Sequence, residues 1–114
     1  MAKRLIRNFR EWISRKRWRV VTRCDDIDDV PEQLGRRDVA IVASPDFVKW
    51  VVFDCPCRTG HRIMLNADQS RKPYWTLVDE DLATISPSID FNSPERRCHY
   101  FVRAGRTLWA GDSD

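Results

Sequence analysis

Apolar positions recur along the chain in two rhythms. Leu5, Ile6, Phe9, Trp12 and Ile13 follow helical spacing, and basic residues fill the opposite face. This predicts an amphipathic helix over residues 3–16, within a basic N-terminal arm of residues 1–18. Beyond the arm the period shortens. Trp18-Arg19-Val20-Val21-Thr22-Arg23 is rich in residues that favour pleated surfaces and predicts a strand. Residues 25–35 combine acids, Pro31 and a closing Gly35, which predicts a turn or short helical turn with Asp28 or Asp29 as N-cap. Residues 38–43 and 47–53 are apolar runs joined by Ser44-Pro45-Asp46, the pattern of a hairpin. A knuckle-like turn at 55–60 follows, then strands at 61–66, 74–78 and, briefly, 82–86. Residues 87–97 contain two prolines and read as loop. Ser86-Pro87-Ser88 reads as a strand-ending turn, because Pro87 cannot donate to a ladder. A last hairpin is expected from residues 98–103 and 107–110. The fold class is mainly β (small α+β): an antiparallel sheet preceded by one helix. Residues 19–111 form the β-rich domain and residues 112–114 a polar tail.

Length and composition narrow this picture. A chain of 114 residues has room for one domain with one modest core. With 42% hydrophobic and 32% charged residues it is neither disordered nor fibrous. No apolar run approaches the ~20 residues that span a bilayer. No apolar signal-peptide core follows the basic start, so a soluble cytoplasmic protein with reduced thiols is expected. The formal charge of +3 conceals a split: residues 1–24 carry +8 and the remainder −5. Arg7, Arg10, Arg15, Lys16 and Arg17 are therefore candidate contacts to nucleic acid or another anion, with Phe9, Trp12 and Trp18 available for stacking. The plainer reading docks those aromatics on the domain and leaves the basic face solvated. A related reading places the arm on an anionic membrane surface.

The densest chemistry lies in the cysteines and histidines. Cys55-Pro56-Cys57 and Cys98-His99 are two donor pairs separated by a β-rich segment. Tetrahedral zinc takes thiolate and imidazole, and a structural site is closed by four such ligands. The candidate ligands are Cys55, Cys57, Cys98 and His99. Adjacent residues of a regular strand point to opposite faces, so Cys98 and His99 share an ion only if the backbone turns there. Otherwise His61 is the natural replacement. Binding would offset the small core. The alternative is that the cysteines are small buried apolar residues, which is the reading for Cys24.

Five segments then occur in order: Phe53-Asp54-Cys55-Pro56-Cys57; His61 to Asn66; Lys72-Pro73-Tyr74-Trp75; Ile85-Ser86-Pro87-Ser88-Ile89; and His99 to Trp109. Over roughly residues 37–111 the chain resembles the bacterial family catalogued as domain of unknown function 6527. The resemblance implies a small β-rich metal-binding module, some of whose members are encoded beside ubiquitin-like conjugation proteins. It implies Cys55, Cys57 and His99 as ligands. Two positions depart from the family pattern: Thr59 stands where a third Cys is usual, and Arg96 where a Cys precedes the His.

Three functions compete. The leading expectation is a small non-enzymatic interaction module with a structural Zn2+, serving a protein partner in a bacterial conjugation or defence system. A thiolate-rich donor set leaves little Lewis acidity for catalysis. The second is nucleic-acid binding through the arm. The third is a zinc-dependent hydrolase with Asp54 or Glu95 as general base; a separate catalytic alternative is a Cys98 nucleophile beside His99 or His61. The chain has no His-Glu-x-x-His and no phosphate-binding Gly loop. Trp50, Trp75 and Trp109 read as core, and Arg103 and Arg106 as flanks of a solvated turn.

Overall fold

The structure, a computed structural model, describes residues 17–113. The amphipathic helix expected over residues 3–16 lies outside the described residues. Among the described residues, eight strands form two four-stranded sheets. The first sheet is ordered β1 (Arg19–Cys24), β2 (Asp38–Ala43), β3 (Val48–Asp54) and β4 (Arg62–Asn66). The second is ordered β5 (Thr76–Val78), β6 (Thr84–Asn92), β7 (Arg97–Arg103) and β8 (Arg106–Trp109).

Most expected strands are present, with three corrections. The single antiparallel sheet becomes two. β1 runs parallel to β2, because residues 25–37 carry the chain back across as a crossover. This crossover contains a 3-10 turn, Ile27–Asp29, capped by the Asp26 side chain accepting from the Asp28 amide. Finally, β6 continues through Pro87 to Asn92, where loop was expected. The strand accommodates Pro87 in an irregularity. Ile85 pairs with Val102 and Ile89 with Tyr100, so four steps along β6 face two along β7. Proline is tolerated where the ladder is already interrupted.

Burial follows from strand period. β4 and β7 alternate, sending Ile63, Leu65, Cys98, Tyr100 and Val102 inward. After Asp38, β2 is apolar and buried, because it is covered on both faces. One face joins the intersheet core of Val39, Val51, Phe53, Ile85, Ile89 and their neighbours. The other packs Ala40 and Val42 under Ile27, Val30 and Leu34 of the crossover.

Trp18, expected at the end of the helical arm, belongs to this core and is fully buried. Its indole meets Phe53 edge-on at 4.9 Å and donates to Thr107 Oγ1 at 2.8 Å. Its amide donates to the Gly105 carbonyl, Gly105 donates to Ala83, and Ala83 donates to Trp18. This ring of backbone bonds ties the start of β1 to one end of the second sheet, at the start of β6 and the β7–β8 turn. Gly105 has φ +77°, and a Cβ there would stand 2.7 Å from Arg17 Cβ, so only glycine suits the position.

Candidate active site and candidate metal centre

Strand β7 presents different chemistry on its two faces. Cys98 points inward and is fully buried, whereas His99 is half-buried on the outer face. The backbone does not turn between them. The metal set expected from the sequence therefore divides, as strand geometry requires.

On the inner face, Cys55, Cys57, His61 and Cys98 bring their ligand atoms within 4.8 Å of one another. His61, the replacement donor, occupies the position expected for His99. The knuckle is shaped by the Cys55 amide donating to the His61 carbonyl at 2.8 Å and the Arg58 amide donating to the Cys55 carbonyl at 3.1 Å. Arg58 and Gly60 take left-handed φ values of +66° and +88°, which close the turn. Cys57 Sγ lies 3.5 Å from His61 Nδ1 and 2.9 Å from Thr59 Oγ1. Tyr100 donates its hydroxyl to Cys55 Sγ at 3.7 Å. Phe91 braces the His61 ring at 4.6 Å.

The crowded sulfurs have dissimilar acidities. Burial pushes the Cys55 thiol up. Burial also raises Cys98, with the neighbouring sulfurs adding to it, to about 12. For Cys57 burial acts in the same direction, but hydrogen bonds from Thr59 and from the other two cysteines outweigh it and hold the thiol at about 6. Burial keeps the Tyr100 phenol protonated far above its ordinary range. Three thiols and one imidazole are a donor set suited to a soft tetrahedral cation. In a zinc site with Zn–S bonds of about 2.3 Å, sulfurs sit about 3.8 Å apart, so only a small contraction is needed. The cluster can hold a metal ion. Cys24 is half-buried, donates to the Asp29 carbonyl and stands apart from the cluster.

On the outer face, the His99 ring bridges two residues that the sequence assigned to a strand-ending turn and to a polar tail. Ser88 Oγ lies 3.0 Å from His99 Nε2, and Asp112 Oδ1 lies 2.7 Å from His99 Nδ1. A carboxylate only accepts, so Nδ1 carries the proton and Nε2 is left to accept from the serine hydroxyl. Ser88 stands at the β6 irregularity, where its carbonyl accepts from the Trp75 indole at 3.2 Å. Asp112 comes from the segment read as a polar tail. That segment lies against β7: the Ala110 amide donates to the His99 carbonyl at 2.9 Å, and Ser113 Oγ accepts from the His99 amide and donates to the Arg97 carbonyl. Arg97 holds Asp112 Oδ2 at 3.0 Å and grips both oxygens of Asp90 at 2.9 and 2.7 Å. The hydrogen bond from His99, reinforced by the Arg97 charge, keeps the Asp112 carboxyl below its ordinary range.

The other candidates fall elsewhere. Asp54 is paired with Arg62 at 2.7 Å, and Glu95 is exposed in the β6–β7 turn. Trp109, expected in the core, rests on Tyr100 yet stays 45% exposed at the β8 edge. Of the anion-contact candidates, Arg7, Arg10, Arg15 and Lys16 lie outside the described residues, while Arg17 adjoins the Gly105 turn. Among the described residues, no helix is long and apolar enough to cross a membrane.

Among curated proteins and among solved structures, none matches the chain. A family model does match, over residues 26–110, and is described as "Bacterial ubiquitination-like system serine protease (BubE)". Its name differs from that of the family the sequence resembles, but both point to ubiquitin-like conjugation. The matched span includes Ser88, His99 and all four metal-cluster residues, and ends two residues before Asp112.

Proposed function

The chain belongs to the family of bacterial ubiquitination-like system serine proteases, and from that premise we propose that it is a hydrolase with Ser88 as nucleophile, His99 as general base and Asp112 as the orienting carboxylate. The observation that carries this reading is the hydrogen-bonded line from Ser88 Oγ through His99 to Asp112. Each contact falls within the reach such a relay requires. The substrate would be a peptide or isopeptide bond formed by a ubiquitin-like protein, which makes that protein the partner.

His99 Nε2 takes the serine proton as Ser88 Oγ attacks the carbonyl carbon. Asp112 holds the ring in the correct tautomer and stabilises the imidazolium that forms. The same proton passes to the departing amine as the acyl-enzyme forms. Water, deprotonated by His99, then releases the acyl group and restores Ser88. Arg97 and Asp90 keep Asp112 in register with the ring.

Zinc would be held by Cys55, Cys57, His61 and Cys98, and its role would be structural. Four protein ligands leave no position for a catalytic water. The zinc-hydrolase alternative accordingly gives way to serine chemistry on the other face of β7. The expectation of a non-enzymatic module is not carried forward, because the relay and the family both point to hydrolysis. The test is cleavage of a ubiquitin-like protein extended at its C-terminus by a short peptide. The wild-type chain should release the extension, and Ser88→Ala should not. Equal cleavage by the variant would overturn the assignment.

A further inference from the structure

A cleft of about 710 Å3 opens beside the metal knuckle, bounded by the β1–β2 crossover and the edge strand β8. Among the described residues, Arg36 and Arg37 of the crossover, Arg58 of the knuckle and Arg62 of β4 line it, against two acids, Glu32 and Asp54. Asp54 is already neutralised by Arg62, whose remaining nitrogens donate to the Pro31 and Glu32 carbonyls at 3.1 and 2.7 Å. Among the described residues, no carboxylate pairs with Arg36, Arg37 or Arg58. Trp109 adds a large, half-exposed aromatic surface to the same cleft. Arginine and tryptophan are the side chains that most often anchor protein interfaces. The volume lies within the range of specific ligand pockets.

We propose that this cleft docks an acidic peptide segment of a protein partner. Arg36, Arg37 and Arg58 receive its carboxylates, and Trp109 covers an apolar side chain between them. Charge complementarity selects this occupant over the chain's own N-terminal segment, since residues 1–16 carry six basic residues and a single acid. A nucleic-acid strand calls for a continuous basic track with several stacking aromatics. Here one exposed tryptophan serves a bounded pocket, which suits a short peptide. The cleft is separate from the relay. Trp109 pairs with Tyr100, which faces inward, whereas His99 faces outward on the same strand. A partner segment seated there would be anchored around the β8 edge from Ser88, as an exosite.

The test is fluorescence anisotropy of the full chain with a short fluorescein-labelled peptide of alternating glutamate and leucine. Saturable binding is expected, weakening as salt rises. A double variant, Arg36→Glu with Arg58→Asn, should bind about tenfold more weakly, as loss of interface charges implies. Asparagine is chosen at 58 because it tolerates the left-handed backbone there. Absence of saturable binding, or equal binding by the double variant, would overturn the proposal. So would tighter binding of a short single-stranded DNA that the same variant abolishes, which would give the cleft to nucleic acid. Ser88 labelling by a fluorophosphonate should be unchanged in the double variant. If wild type fails to label while the peptide still binds, the catalytic reading fails and the docking proposal stands.

Discussion

Replacing Cys57 with serine should destabilise the whole sandwich rather than merely alter one turn. An ion shared by Cys57 and Cys98 would close a loop of about 40 residues between the two sheets. The chain-entropy relation for such a cross-link gives about 4 kcal/mol. A domain of this size has roughly 5–15 kcal/mol of stability in total, so such a clip would supply a large share. Each kcal/mol moves the melting temperature of a domain of about 100 residues by some 4–8 °C. The variant should therefore melt about 20 °C lower, and chelation of the wild type should have a similar effect. Because His99 follows Cys98 on β7, loosening that strand should also displace the His99 imidazole from Ser88 and Asp112. Thermal unfolding is to be followed beside zinc stoichiometry by native mass spectrometry. A zinc-free protein that melts at the wild-type temperature would refute the reasoning and leave the thiols as ordinary buried side chains.

Asp112→Asn should keep the fold but lower turnover by about 10²–10⁴, because an amide no longer fixes the His99 tautomer; steady-state kinetics on the fusion substrate would show it, and unchanged turnover would remove Asp112 from the mechanism. Trp18→Ala should cost about 3–5 kcal/mol in urea unfolding, given complete burial and the lost bond to Thr107. A chain beginning at residue 17 should lose far less, and the opposite order would place the core elsewhere. The Asp90 and Asp112 carboxyls are both held below their ordinary value, Asp90 by its hydrogen bonds from Arg97 and Asp112 by His99 and then Arg97. Their contribution is thus complete above an unfolded value of about 4 and drains away as pH falls below it. Asp90→Asn should accordingly lose less stability than wild type between about pH 5 and pH 3, read from urea unfolding at each pH. Equal losses would mean that the Arg97 pairing adds nothing.

The strands were legible because Val, Ile, Trp and Phe fall in short runs with turn residues between them. The division of Cys98 from His99 was legible as well, since it needs only the alternation of a strand. What the sequence hid were long-range juxtapositions. Ser88 lies 11 positions from His99 and Asp112 a further 13, and nothing local marks any of them as partners. Pro87 pointed away from a strand, because the irregularity that accommodates it is set by pairing with β7. Asp112 lay in a Gly-Asp-Ser-Asp stretch whose composition suits a free tail, yet its Ser113 is satisfied by β7 backbone. The parallel β1–β2 pair was hidden for a similar reason: the crossover earns its burial only against the far face of β2.

The most direct measurement is the site of covalent labelling by a fluorophosphonate, read by intact mass and peptide mapping on wild type, Ser88→Ala and His99→Ala. The account predicts one adduct per wild-type chain, on Ser88, and none on either variant, with both variants melting near the wild-type temperature. An unlabelled but folded wild-type protein, or an adduct on a residue other than Ser88, would contradict it.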